Sequence, residues 1–425
     1  MNGAVKYAVT DNINLYVIKD TKYKTLYACT YVHRLLKREE VTLNSLLSKV
    51  LKTATASHNS MSELNIYAEN LYGCLYDVGI TKRANIQSIV SSVNVVSDKF
   101  TDSPCEKEAF ALMLDLLFKP YVTNGGFCVD YVVSQKSNLK DDIQGLINDK
   151  RAYANVRCIE EMCAGEPNAI VEIGYAQDLD AINEKNLYEH YLSIINASPI
   201  DIFVVGDVDE GDLLETLQNY FSQFEFCITP IDIEFNANNC KNVKYVEDKL
   251  DVNQGKLAMG LRTSINVESS EYYALLTANS IFGSGAHSKL FNNVREKMSL
   301  CYYAYSRLDK YNGLMLIGSG IEFENYEKTK NAVLAELENV KCGNFTDEEL
   351  DVAKEYIISS YHSYEDSPSL LVDYYMGKIF TPSFKTIDEA CAAVANVTKD
   401  EVIKSFANVN LDTVYFLNGK EGNEQ

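Results

Sequence analysis

Histidine is the first residue type to weigh, because a zinc hydrolase helix needs two of them. The two ligands must stand on one face with a carboxylate between them to activate water. The chain has five, His33, His58, His190, His287 and His362, and no two are within five residues. His362-Ser363-Tyr364-Glu365 supplies His and Glu at i and i+3 without a second His, which reads as a helix-end histidine. The cysteines are scattered singly; Cys158 and Cys163 are the closest pair, and no second pair follows, so a zinc knuckle is not expected. The densest run of distinctive residues is Gly283-Ser-Gly-Ala-His-Ser-Lys-Leu-Phe-Asn-Asn-Val-Arg-Glu-Lys-Met-Ser-Leu-Cys-Tyr-Tyr303. Gly283-x-Gly285 has no third glycine and follows no clear strand, so it is not a phosphate loop. By residue type alone the run is a glycine turn entering a short helix and then a strand, with Arg295 in an ion pair.

The elements that would position these residues sit in a chain of 425 residues, with 39 Lys+Arg against 60 Asp+Glu and a net charge of -21. Such acidity argues against nucleic acid and anionic membrane surfaces as partners. Hydrophobic residues at 46% and charged residues at 23% describe a globular protein of two or three domains. No apolar run approaches the ~18 residues of a membrane span, and Met1 to Tyr7 has no basic segment leading an apolar one. With unpaired cysteines, this predicts reduced thiols and a cytoplasmic location.

Ile13, Leu15 and Val17 alternate, and Leu26 to Val32 is a second extended run. Leu43, Leu46, Leu47, Val50, Leu51 and Ala54 then form a helical stripe. A strand over Ile200 to Val205 precedes a helix over Leu213 to Phe221, with Asp212 and Glu215 as its capping pair. Residues 231–243 read as a linker. Beyond it come strands over Lys244 to Val246 and Gly255 to Arg262, and a helix over Tyr272 to Phe282. Further strands follow around Cys301 to Tyr305 and Gly313 to Gly320, then two helices, the second capped by Thr346 and Glu349. Both halves repeat one order, which predicts an α+β protein of two tandem similar domains, 1–230 and 244–425. Each would hold a mostly antiparallel sheet with helices on one face.

The run from Ser288 to Tyr303, with Ser-x-Leu-Phe-x-x-x-Arg-Glu-x-x-x-Leu-x-Tyr within it, resembles the C-terminal signature of the M16 (insulinase and mitochondrial processing peptidase) family. Lys136 to Asn138 with Asp149-Lys150-Arg151-x-Tyr153-Ala154 resembles the family's mid-domain helices. Val204-Val-Gly-Asp-Val-Asp209 and Phe345-Thr-x-Glu-Glu-Leu-x-x-Ala-Lys354 resemble its later strand and helix. The four motifs occur in the family's order across the chain.

The resemblance implies a two-domain M16 fold, and a zinc helix bearing His-x-x-Glu-His where this chain has Ser45, Ser48 and Lys49. Hydroxyls are weak ligands, and an ammonium repels Zn²⁺. The family's third ligand falls near Asp141-Asp142. The chain therefore resembles a non-catalytic branch that binds no cofactor itself, zinc being expected only in a partner subunit that keeps His-x-x-Glu-His. By the same resemblance Arg295 and Tyr302, seven apart, hydrogen-bond a peptide substrate from across the cavity, and Gly283 and Gly285 form a loop near it. The implied role is an accessory subunit of a heterodimeric peptidase; the alternative is a purely structural homologue, which has no need of the Arg/Tyr pair.

Overall fold

In the computed structural model, which describes residues 3–233, 235, 242–381 and 384–420, alternating runs become strands wherever a face is buried. The first eight are β1 (Val5–Thr10), β2 (Ile13–Lys19), β3 (Thr25–Leu35), β4 (Leu75–Arg83), β5 (Ile86–Val96), β6 (Val122–Thr123), β7 (Gly126–Phe127) and β8 (Ile200–Gly206). β6 and β7 form a small hairpin, and the others form one sheet in the order β1-β2-β8-β3-β5-β4. Its pairings are antiparallel except β2 on β8. β8 is buried at every residue, as a central strand rich in Ile, Phe and Val should be, with Asp201 its one charged residue.

The second sheet contains β9 (Lys244–Leu250), β10 (Gly255–Arg262), β11 (Cys301–Asp309), β12 (Leu314–Ile321) and β13 (Asn410–Gly419), ordered β11-β12-β10-β13-β9. Only β9 on β13 is parallel. Read from the parallel pair, β2-β8-β3-β5-β4 and β9-β13-β10-β12-β11 have the same succession and the same direction at each pairing. The repeat that residue identity left unproven is therefore visible as topology, with β1 an added edge strand. The predicted α+β architecture is what the chain adopts.

The chain divides into two compact units. One is Met1–Gln144, Ile170–Ile233 and Ser367–Met376; the other is Gly145–Ala169, Glu234–Asp366 and Gly377–Gln425. Of the expected linker, residues 234 and 236–241 lie outside the described residues. In the first unit the helices Val41–Leu51, Glu106–Phe118 and Glu184–Ala197 pack on the face carrying Leu15, Val17, Ala28, Val32, Val93, Ile202 and Val204. In the second, helices Tyr272–Gly283, Tyr326–Lys341 and Lys399–Ala407 cover Leu257, Met259, Ile317 and Val414. One helix, Lys150–Met162, lies on that sheet's other face. It sets Ala154 and Cys158 against Ala258, Leu316, Tyr415 and Leu417. Gly260 permits the approach, because a Cβ there would meet Met162 Sδ and Cys158 Sγ.

Thr346 and Glu349 form the expected capping box, on a helix running Asp347–Tyr364. The cap expected at Asp212 is instead Asp209, whose carboxylate accepts from the amides of Gly211 and Asp212 and starts the helix at Glu210. The Gly206-Asp207-Val208 turn delivers Asp209 in extended conformation, the geometry an N-cap needs.

Candidate functional site

Ser45, Ser48 and Lys49 stand on helix Val41–Leu51, the element the apolar stripe predicted. Both serines are buried, and their hydroxyls are spent on backbone. Ser45 Oγ donates to the carbonyls of Val41 (3.0 Å) and Glu172 (3.2 Å), and Ser48 Oγ donates to that of Ser45 (2.9 Å). The carbonyl of Glu172 also accepts from Gln87 Nε2 at 2.8 Å, and burial holds the Glu172 carboxyl above its ordinary value. Lys49 Nζ lies 2.6 Å from Asp142 Oδ2, so of the two neighbouring acids it is Asp142 that meets this helix. An ammonium occupies the position where a cation would otherwise meet that carboxylate. The residues do not fit zinc: the two hydroxyls are turned onto carbonyls, and the one facing acid is already neutralised. Among the described residues no three His, Cys, Asp or Glu gather in a way that could hold a metal. The purified chain should therefore carry no stoichiometric zinc by elemental analysis, and EDTA should leave its melting temperature unchanged. One bound zinc per chain, or a chelator-induced drop, would contradict this.

Arg295 and Tyr302 are brought together by an unusual corner. Leu290–Lys297 winds as a π-helix, a form enriched at functional positions. Ser299 follows at φ 52, left-handed for a residue with a Cβ, and the chain re-enters β11 two residues later. That conformation costs on the order of 1–2 kcal/mol. The tight reversal brings the Arg295 guanidinium to the Tyr302 backbone, with Nε donating to its carbonyl at 2.9 Å. Nη1 is 3.2 Å from Glu296, and the Phe291 ring lies under the guanidinium at 4.5 Å. Tyr302 is 57% exposed, and its hydroxyl donates to Glu322 Oε1. That bond raises the phenol pKa, so Tyr302 stays protonated and remains a donor at neutral pH.

Gly283 ends helix Tyr272–Gly283 and is buried. A Cβ there would meet the Ser306 amide nitrogen and Leu290 Cδ1, each at 2.8 Å, so its smallness serves a close helix–strand contact. Gly285 has φ +97, a true turn glycine. Around it the string is tied down. Ser288 Oγ donates to the Gly285 carbonyl at 2.8 Å, His287 Nε2 pairs with Ser280 Oγ at 3.0 Å, and the buried Lys289 binds Glu349 at 2.8 Å. Much of the distinctive string thus fixes the corner that presents Arg295.

Sequence reasoning missed one constellation of catalytic types. His33 Nδ1 lies 2.7 Å from Ser88 Oγ, and Nε2 lies 3.1 Å from Asp201 Oδ2, whose Oδ1 accepts from Asn14 at 2.8 Å. Strand register makes it: His33 is opposite Ser88, and Asn14 opposite Asp201. All three triad members are at most 4% exposed, so no substrate reaches the hydroxyl. The network is a satisfied polar patch inside the first sheet. Cys158 and Cys163 are buried and not joined in a disulfide, and His362 pairs with Glu365 at 3.4 Å as a helix-end histidine. No helix among the described residues is long and apolar enough to cross a membrane.

A family profile described as "Peptidase M16 inactive domain" matches residues 181–357. A "probable inactive metalloprotease", YmfF of Bacillus subtilis, is 34% identical over 412 residues, covering 96% of each chain. A conserved protein from Enterococcus faecalis has a solved structure with TM-score 0.92 at 27% identity, covering all of both chains. A peptidase M16 inactive domain from Pseudomonas fluorescens matches with TM-score 0.81 at 15% identity, over 99% of this chain and 100% of that one. With the family profile over its middle, a relative more than 30% identical along almost its whole length, and the doubled sheet topology, the chain belongs to the peptidase M16 family.

Proposed function

We propose that this chain is a non-catalytic accessory subunit of a two-chain M16 peptidase, lending Arg295 and Tyr302 to a partner that keeps His-x-x-Glu-His. The observation that carries the reading is the corner itself: a π-helix and a left-handed Ser299 hold a guanidinium beside an exposed phenol. Strain of this kind persists where the surrounding structure imposes it, and it concentrates at functional sites. Among the described residues Arg295 Nη2 has no hydrogen-bond partner, so one donor faces outward while Nε and Nη1 fix the plane. The Tyr302 hydroxyl, held protonated, becomes a second donor once it leaves Glu322. One fixed donor and one released from Glu322 suit a peptide carbonyl, whose oxygen gains negative charge as it is attacked. The zinc misfit at Ser45, Ser48 and Lys49 and the relative named as probably inactive support the non-catalytic half.

One set of contacts favours the structural alternative: Arg295 on Glu296 and on the Tyr302 carbonyl is also what a corner staple would make. Association separates the readings first. Co-expressed with a His-x-x-Glu-His sister, the chain should co-elute with it in size-exclusion chromatography at micromolar concentration. A stable pair of this kind buries upward of roughly 1,000 Å². Separate elution would remove the accessory role.

A further inference from the structure

Beside Tyr302, within the second unit, lies a cleft of about 390 Å³ lined by Lys150, Asp251, Val252, Asn253, Gln254 and Lys256. Next to it, behind Lys256, stands a pair of stacked tyrosines. Gly318 and Gly320 of β12 carry no side chain, and a Cβ on either would collide with the ring of Tyr305 or Tyr303. The two rings therefore lie over the glycines, 6.0 Å apart and inclined by 27° to one another. Arg151 stacks on both, at 4.7 Å from Tyr303 and 4.2 Å from Tyr305. Lys256 Nζ stands 5.8 Å from the Tyr303 ring and donates to Gln254 Oε1.

With 60 acids against 39 bases, many cations of the chain have a carboxylate partner: Lys49 with Asp142, Arg157 with Glu160, Lys289 with Glu349. Among the described residues, Lys150, Arg151 and Lys256 make no ion pair with a carboxylate. Asp149 is close but caps its own helix, accepting from the amides of Arg151 and Ala152, and Asp251 is on the wall. Three cations thus stand against two carboxylates. Lys256 is half-buried, and its ammonium is held below its ordinary pKa by burial and by Arg151, with Asp149 opposing. Cations left near one another, partly desolvated and outnumbering the carboxylates beside them, are stabilised by any anion that enters.

We propose that this cleft binds a carboxylate of a peptide, from an acidic side chain or a free C-terminus, with Lys150 and Lys256 as its donors. Placement favours a peptide over a free anion. The Tyr302 hydroxyl interacts with Gln254, and Gln254 accepts from Lys256. A chain whose backbone meets Arg295 and Tyr302 would therefore carry a neighbouring residue into the cleft. This step rests on the peptide-holding role proposed for that pair. Arg151 stays on its tyrosines and supplies charge without moving.

The test is fluorescence anisotropy on the isolated full-length chain with short N-terminally labelled peptides: one with an internal Glu and an amidated end, its Gln counterpart, and the Gln peptide with a free C-terminus. The Glu peptide, the free-end peptide or both should bind roughly tenfold or more tightly than the amidated Gln peptide, the size of one charge-assisted bond. Which one gains identifies the carboxylate's source. Lys256→Met, which keeps the aliphatic stem, and Lys150→Gln should each erase that preference while leaving the neutral peptide's affinity unchanged. Equal binding of all three peptides, or a preference that survives both substitutions, overturns the cleft. Arg295→Ala should weaken all three peptides alike; if it weakens none while the charge preference remains, the Arg/Tyr reading fails and the cleft stands.

Discussion

Arg295→Ala, assembled with its sister subunit, should lower kcat by roughly 10²–10³ and leave assembly intact, because one preorganised donor to a developing oxyanion is worth about 3–4 kcal/mol. Tyr302→Phe removes the other donor and should act by a similar factor without touching the corner, since the Arg295 bond is to the Tyr302 backbone carbonyl. That difference makes the tyrosine variant the cleaner probe. Arg295→Ala also releases Nε from that carbonyl and Nη1 from Glu296, so some loss of melting temperature is expected with it. If Arg295 were a staple alone, melting temperature would fall and activity per assembled complex would hold. If Tyr302→Phe turned over at the wild-type rate, the pair would leave the mechanism. Steady-state kinetics and thermal unfolding on the same preparations read both quantities; KM should rise as kcat falls, because the donor holds the bound peptide and then the charge that develops on its carbonyl.

The same corner shows where sequence was readable and where it was not. Local signals carried through. The apolar stripe gave helix Val41–Leu51, and Thr346 with Glu349 gave a real capping box. The order of elements gave two similar sheets, because strand order follows from the repeat and from short connections. What depends on long-range register was invisible. Lys49 and Asp142 are ninety-three positions apart, and their contact needs the packing of two helices. The Ser88–His33–Asp201 network exists only because β3 pairs with β5 and β8 in one register; a one-residue slip would turn His33 to the other face. The π-helix at Leu290–Lys297 has no 3.6-residue signature by which to find it. Amphipathicity can show that Lys150–Met162 buries a stripe, but not which sheet it buries it against.

That last helix carries the second large prediction. Arg262 ends β10 at only 5% exposure, under the helix's last turn. Its Nε donates to Asp412 at 2.8 Å, and Nη1 and Nη2 reach Glu166 at 3.2 and 2.7 Å. Nη2 also donates to the Met162 carbonyl at 3.0 Å, one of those a helix end leaves without an intrahelical partner. One guanidinium on β10 thus holds a helix end with its neighbouring Glu166, and Asp412 on β13, joining three parts of the chain. Arg262→Ala leaves both acids facing each other without the cation, and breaking a buried pair from one side costs about 3–5 kcal/mol. The loss should be local first. Amide exchange in residues 150–162 should accelerate on the order of 10²-fold or more, while strands of the first unit exchange as before. A triple variant, Arg262→Met with Glu166→Gln and Asp412→Asn, removes the stranded charges and should recover much of the protection, because the penalty lies in the uncompensated acids and not in the missing attraction. If Arg262→Ala left exchange in that helix unchanged, the network would be incidental, and the helix would be held by its Ala154 and Cys158 face alone.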